Sequence, residues 1–545
     1  MLKEMMEKQS GRSKTTLSES RPLTLSDEEA IGAKKPTGLA TAFTRNAAVS
    51  VGRLIVTSLV ALVVPAYLTH RLPVEMYSAW VLILQLSGYV GYLDFGVQNG
   101  ISKYVSEYEA RGDAAGSNLR ASAGLAIMLL MSVLGVLLTL LLAWRVPQLF
   151  RQMPVALYRD VRISLVSVGI SLSFGLLCSV FSAIFLGLQR YAVPMFISIL
   201  NRVLFTGVVC ASAFFHRGLV MMGVAVAGVN ISTGLLQIEA WRKWASRIRV
   251  SLYGLDRAVL KKMLAYCSVL AIWSAGMLCV NGLDVTIVGT YDFSQTGFFS
   301  IAALPITFMI SIMGAALGPL LPTTSALSTQ RTPAEMGDLL SRTTRYITIL
   351  LLVSGLPLLV GGCPILRLWV GKDYAFHSIG YLRVLVMANI IRMLCAPYAT
   401  MLMATESQKV AIVGATTEAV VNLGSSIYLA RHLGAIGVAY GTLLGAFVSV
   451  AMHFALSMHY TYGKLSISRS QLFLKGILRP AVIVVPSVMV LPLWWFSDNP
   501  SFTFPIWLSW GASTLLLAWF GALDRQERDG LIGLVAARRK IATTG

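Results

Sequence analysis

Long apolar runs alternate with short polar ones along nearly the whole chain, and that alternation predicts a membrane architecture. A helix needs about 20 apolar residues to cross the hydrocarbon core. Runs of that kind lie near 46–68, 76–97, 121–144, 161–187, 192–215, 218–239, 264–290, 296–321, 345–369, 379–405, 410–431, 434–460, 477–497 and 502–523. These fourteen candidate helices are joined mostly by short loops. Residues 1–45 break the pattern, mixing Ser, Thr, Lys, Arg and acids without apolar periodicity, as a disordered tail does. The tail lacks the short apolar core and cleavage site of a signal peptide, so 46–68 reads as a retained first span.

Composition agrees. Of 545 residues, 56% are hydrophobic and 13% charged, and the mean hydropathy is +0.70. A soluble domain carries roughly 25% charged residues, so a soluble enzyme or nucleic-acid module is a poor fit. Six Cys without motif spacing argue against a secreted disulfide scaffold. The net charge of +20 could suggest nucleic acid, yet its distribution is topological. With the N-terminus inside, thirty-two Lys/Arg fall on interior segments and their flanks, nine outside and four within spans. That asymmetry predicts cytoplasmic N- and C-termini. Arg145, Arg151, Arg159 and Arg162 are the local departure from it.

Weak internal symmetry divides the spans. "RLPVEMYSAW" around Tyr77 resembles "DFSQTGFFS" around Phe298, "GLQRYAVP" resembles "ESQKVAIV", and "HRGLVMMGVAVAG" resembles "HLGAIGVAYGTLLG", at offsets of 221, 219 and 214. An offset of six helices predicts two parallel lobes of the kind that rock about a central site. The expected organisation is a cytoplasmic tail at 1–45 and a first lobe at 46–239. A basic inter-lobe loop at 240–263 leads to a second lobe at 264–460. Two added helices at 477–523 and a basic cytoplasmic tail at 524–545 complete the chain.

Catalytic signals are missing. The chain has no G-x-x-x-x-G-K-[ST], no metal-spaced His/Cys cluster, no G-x-S-x-G or H-E-x-x-H, and no large outer loop for glycosyl transfer. A non-enzyme without cofactor or metal is expected. Ionisable residues within spans carry the information instead. An Arg at a helix centre costs about 2.5–3.5 kcal/mol on insertion scales, so it faces water, a carboxylate or an anionic ligand, or it snorkels. Arg202 and Arg392 lie near mid-depth, whereas Arg53 and Arg383 lie nearer the span ends and within snorkelling reach. The acidic set is Glu418, Asp94 and Asp284, each able to pair with an Arg or to bind H⁺ or Na⁺. His453 and His459 read as packed or interfacial. Pro65, Pro194, Pro305, Pro357 and Pro397 mark possible bends.

Three segments resemble one family. "YLDFGVQNGISKYVSEYEARGD" (92–113) closes the second span with an acidic "LDFG" end, a small-residue turn at Asn99–Gly100, an aromatic-rich amphipathic helix and a terminal Arg111-Gly112-Asp113. "LDVTIVGTYDFSQTGFFSIAALP" (283–305) opens the second lobe, and "ATESQKVAIVGATTEAVVNLGSSIYLARHLGAIGVAYGTLLG" (404–445) covers helices 11 and 12. Over roughly 40–460 the chain resembles polysaccharide flippases of the Wzx type, in the multidrug/oligosaccharidyl-lipid/polysaccharide exporter superfamily. The long N-terminal tail departs from that family.

The resemblance implies a MATE-like all-α fold in a bacterial inner membrane, with two lobes around an often cationic cavity. It implies an isoprenoid-diphosphate-linked oligosaccharide as cargo, carried to the outer leaflet for a surface polysaccharide, with polymerase and export proteins as partners. Cationic, bidentate Arg suits a diphosphate, which makes Arg202, Arg392 and Arg53 the headgroup candidates, on the residues' own merits. Coupling to H⁺ or Na⁺ would fall to Glu418, Asp94 and Asp284. The competing readings are a cation-coupled multidrug antiporter of the same superfamily and a membrane glycan polymerase or ligase.

Overall fold

The computed structural model describes residues 60–489 and 500–529, apart from 254, 329, 330, 406, 524 and 526. The tail 1–45, Arg53, Glu406 and the end of the chain from 530 lie outside the described residues. Every expected span is mainly helix over its described residues. Among the described residues, ten helices are long and apolar enough to cross a membrane by length and composition. The chain is an all-α polytopic membrane protein.

In the first lobe, α1 spans Val60–Thr69, α2 Val74–Tyr92, α3 Val97–Ala110, α4 Ala114–Leu149, α5 Val155–Gly187, α6 Ala192–Phe214 and α7 Gly218–Trp244. Its equivalent span in the second lobe is broken. α8 (Arg257–Met277) gives way to a wide π turn at Leu278–Gly282 and resumes as α9, Asp284–Tyr291. There follow α10 (Thr296–Leu317), α11 (Leu320–Leu327), α12 (Pro333–Val370), α13 (Lys372–Met393), α14 (Ala396–Ala404), α15 (Gln408–Leu433) and α16, Ala435–Thr461. The added pair is α17 (Arg469–Met489) and α18, Pro500–Leu517.

The added pair packs on α12, where Leu352, Leu356 and Val360 meet Ile483, Trp510, Ala518 and Ala522. A buried ion pair fixes its base: Arg345 Nη2 lies 2.8 Å from Glu527 Oε1, with the two side chains 6% and 7% exposed.

Residues 93–113 fold differently from the sequence reading in one respect. The turn falls at Phe95 and Gly96, with φ of 44° and 73°, while Asn99 and Gly100 lie inside α3. A Cβ at Gly96 would come within 2.4 Å of Leu270 on α8, so glycine serves both the left-handed backbone and the close approach. Asp113 then caps α4 by accepting the Gly116 amide at 2.8 Å.

The expected prolines differ among themselves, Pro397 standing just after a break and Pro305 and Pro357 inside continuous helices. Pro147, Pro305, Pro357 and Pro364 lie within continuous helices. The breaks come at wide turns instead, at 278–282 and 453–457, and at Leu394–Cys395 just before Pro397. Two of the four arginines that depart from the charge asymmetry have local partners. Arg162 Nε and Nη2 donate to the Ala143 and Trp144 carbonyls at 3.0 Å each, and the Arg145 guanidinium stands 4.7 Å from the Trp144 ring centre. Arg162 thus takes up helix carbonyls near the end of α4, the Ala143 one left without its donor by Pro147, which needs no topological signal.

The lobes join at the end of the bundle that carries the α1–α2 and α12–α13 loops. One continuous core there holds Leu68, Tyr77, Trp80, Phe150, Phe298, Phe299, Leu366 and Tyr374, drawn from both lobes. Tyr77 and Phe298, equated by the sequence repeat, both pack against the Tyr374 ring at 5.8 and 5.0 Å. Ser78 Oγ accepts the Gly297 amide at 3.0 Å. Residues matched by a repeat meet at its interface when the two copies are related by a near two-fold axis. At the opposite end the cores are separate. One unites α3–α7 with α8, and the other lies wholly in the second lobe with the start of α17.

Candidate functional site

Four helices of the second lobe bring charged groups together inside the membrane-spanning bundle. α15 presents Glu418 and, one turn later, Asn422; α13 carries Arg392 in its last turn; α9 begins at Asp284; α16 contributes Thr442. Arg392 Nε lies 2.5 Å from Glu418 Oε1, and the two side chains are 9% and 10% exposed. Asp284 lies within electrostatic reach of Arg392 and accepts a long, 3.5 Å bond from the Thr442 hydroxyl. The cluster thus holds one guanidinium and two carboxylates. A lone charge of either sign here would be costly, and pairing offsets that cost.

The wide turn before Asp284 is stabilised from both lobes. The Val280 carbonyl, in the widened turn, accepts from Asn422 Nδ2 at 2.9 Å, and Asn422 Oδ1 accepts from Ser426 at 3.1 Å. Gly282 O accepts from Gln85 Nε2 of α2 at 2.6 Å, and Tyr89 of α2 hydrogen-bonds the Thr286 hydroxyl. A non-α backbone persists at membrane depth only where its polar groups are taken up in this way. As a result, Asp284 stands where α2 of the first lobe grips the broken helix of the second.

His453 lies in the second wide turn, buried at 6% and edge-on to Tyr398, with ring centres 5.5 Å apart. With Cys395 and Tyr398 it lines a cavity of about 10 Å³, room for about one water. His459 is exposed at the end of α16.

Arg202 sits elsewhere, on an exposed face of α6. Its neighbour Asn201 turns inward and donates to Asn230 Oδ1 at 3.2 Å and to Thr233 Oγ1 at 3.0 Å on α7. Asn230 in turn donates to Ser171 of α5 at 3.0 Å. This polar triangle fixes the rotation of α6 and so the direction of Arg202. Arg383 is exposed at the middle of α13. Asp94 belongs to neither group; its carboxylate accepts the Gln98 amide at 3.3 Å and starts α3.

The structure therefore unites Arg392, Glu418 and Asp284, and keeps Arg202 and Asp94 apart from them. The sequence reading missed Asn422, Thr442, Gln85, Asn201 and Asn230. Two signals could have found the first and fourth: Asn422 follows Glu418 at helical i, i+4 spacing on an apolar helix, and Asn201 stands next to an intramembrane Arg.

No protein-family model and no curated protein sequence matches the chain. Solved structures do. The fold is similar to a lipid II flippase MurJ in an inward closed conformation, at a TM-score of 0.67 and 15% identity over 86% of this chain and 98% of that one. It is also similar to an inward-facing multidrug resistance MATE transporter, at 0.61 and 15% over 75% of this chain and 99% of that one. A third likeness is to a transporter of the same MOP superfamily from Pyrococcus furiosus, whose binding pocket is described as reversed in polarity, at 0.54 and 16% over 78% and 96%. The chain has the fold shared by the flippases and MATE transporters of that superfamily.

Proposed function

We propose that the chain is a flippase that moves an isoprenoid-diphosphate-linked oligosaccharide across a bacterial inner membrane by alternating access. The observation that carries this reading is Arg202, exposed near the middle of α6, with α6 held in rotation by the Asn201–Asn230–Thr233 bonds. A guanidinium facing hydrocarbon costs several kcal/mol, so this face of α6 suits a water-filled cleft. Arg there offers a diphosphate a bidentate partner. The polyprenyl tail would stay in the bilayer between the lobes while the glycan passes through the cleft. The likeness to a lipid II flippase over 98% of that chain supports a lipid-linked cargo.

In this reading Arg202 is the leading headgroup contact. Arg53 is a second candidate, and Arg392 acts through the charge cluster with Glu418. Coupling to H⁺ or Na⁺ falls to Glu418 and Asp284, where carboxylates adjoin the broken helix, and Asp94 is the third candidate. Cytoplasmic termini, and polymerase and export partners for a surface polysaccharide, complete the proposal.

A multidrug antiporter is the second reading, favoured by the two intramembrane carboxylates of α9 and α15. Reconstitution separates the two. With the full chain in liposomes, a fluorescent isoprenoid-diphosphate oligosaccharide should cross in a protein-dependent manner. Arg202→Ala should slow it at least tenfold, with Arg202→Lys between. If the lipid stays put while a cationic dye is exported, the antiporter reading takes its place.

A further inference from the structure

The segment from Trp241 to Lys262, which links the two lobes, carries seven Lys/Arg and a single acid, Asp256. Its backbone is built into the first lobe. The Arg249 amide donates to Asn118 Oδ1 at 2.8 Å, and the Ser251 amide to Ser122 Oγ at 3.0 Å, both on α4. Trp241 Nε1 donates to Ile248 O at 3.0 Å, and Arg190 donates to Trp244 O at 2.6 Å. Ala245 and Ile248 are buried in the first-lobe core at 2% and 1% exposure. Asp256 is used locally, capping α8 through the Ala258 amide at 2.8 Å.

A pinned backbone turns the remaining side chains outward. Arg242, Lys243, Arg249, Arg257, Lys261 and Lys262 are all exposed, and Arg247 pairs with Glu109 at the rim. Among these cations stand Trp244, Leu252 and Tyr253, at 53%, 46% and 94% exposure. The platform takes in the last turn of α7, which runs past the apolar span to Trp244. Aromatic rings beside a row of cations at that depth match the two halves of a bilayer surface: the rings suit the headgroup boundary, and the cations suit the phosphates.

We infer that the 241–262 platform is a binding site for anionic phospholipid headgroups, anchoring the first lobe to the membrane surface. The charge count selects an anionic partner, and the exposed Trp244, Leu252 and Tyr253 select a bilayer over a soluble polyanion. The backbone bonds to α4 mean that the grip falls on the first lobe, leaving the second free to move.

The test uses the full chain in neutral detergent, titrated with short-chain phosphatidylglycerol or with phosphatidylcholine of equal chain length. Bound lipids are counted by native mass spectrometry, and the melting temperature is followed. Phosphatidylglycerol should bind at least tenfold more tightly, and 0.5 M salt should erase most of the preference. The variant Arg257→Gln/Lys261→Gln/Lys262→Gln should lose at least fivefold of it, with unchanged melting in the absence of lipid. The salt and lipid comparisons on the unaltered chain stand by themselves should the variant fail to fold. Equal affinity for the two lipids would overturn the proposal. So would full displacement of phosphatidylglycerol by a short DNA oligonucleotide at equal phosphate concentration, which would assign the platform to a polyanion.

Discussion

Glu418 and Arg392 show what a charge does when water is removed from around it. Each alone would be an expensive intramembrane ion; together, at 2.5 Å, they are a neutral unit. Removing one partner of a buried pair costs about 3–5 kcal/mol because the other charge is stranded, whereas replacing both with apolar side chains is often neutral. Glu418→Ala should therefore lower the thermal midpoint of the detergent-solubilised protein sharply, and Glu418→Leu with Arg392→Met and Asp284→Asn, which leaves no charge of the cluster behind, should recover most of the loss. A triple substitution no more stable than the single one would contradict the pairing. Both residues, and Asp284, stood out in the sequence because an ionisable group in an apolar run demands a partner. Which partner each takes was not legible. Nothing in linear spacing brings α9, α13 and α15 together; that requires the packing of whole helices.

Elements were easier to read than their interruptions. A long apolar run forces a helix at membrane depth, because no other local structure satisfies its backbone there. Breaks were less legible. Proline announces a missing donor, yet Pro305 and Pro357 are absorbed within α10 and α12. The break at Leu278–Gly282 has no proline and is stabilised by Asn422 and Gln85 on distant helices. Helix pairing left a clearer trace. Gly437, Gly441 and Gly445 repeat at four-residue spacing along α16 and let α15 approach its backbone, the small-residue mode of membrane helices. A Cβ at Gly437 would lie 2.3 Å from the Leu429 carbonyl oxygen, and none is crowded at Gly207 on α6. Gly437→Ala should then destabilise by about 1–3 kcal/mol, and Gly207→Ala by none, as read from thermal midpoints. Similar losses at both would show that helix pairing does not rest on this approach.

At the scale of the whole molecule, the repeat legible in the sequence becomes a contact. Tyr77 and Phe298 converge on Tyr374, and Ser78 accepts the Gly297 amide at 3.0 Å, so one end of the bundle closes around its own symmetry. If transport requires that end to open, Ser78→Cys with Gly297→Cys should cross-link under mild oxidation, halt lipid transfer and recover with reductant. Unimpeded transfer by the cross-linked protein would exclude opening at this contact. The closed end places a mechanical demand on the linking helix. α8 lies in the first-lobe core, and α9 lies against α15 and α16 of the second lobe as well as α2 of the first, so the six residues between α8 and α9 join the two bodies. A change in the angle between the lobes that parted α9 from α2 would be taken up as torsion in Leu278–Gly282. In such a motion the turn would serve as a universal joint, with Asp284, two residues beyond Gly282, on the output shaft.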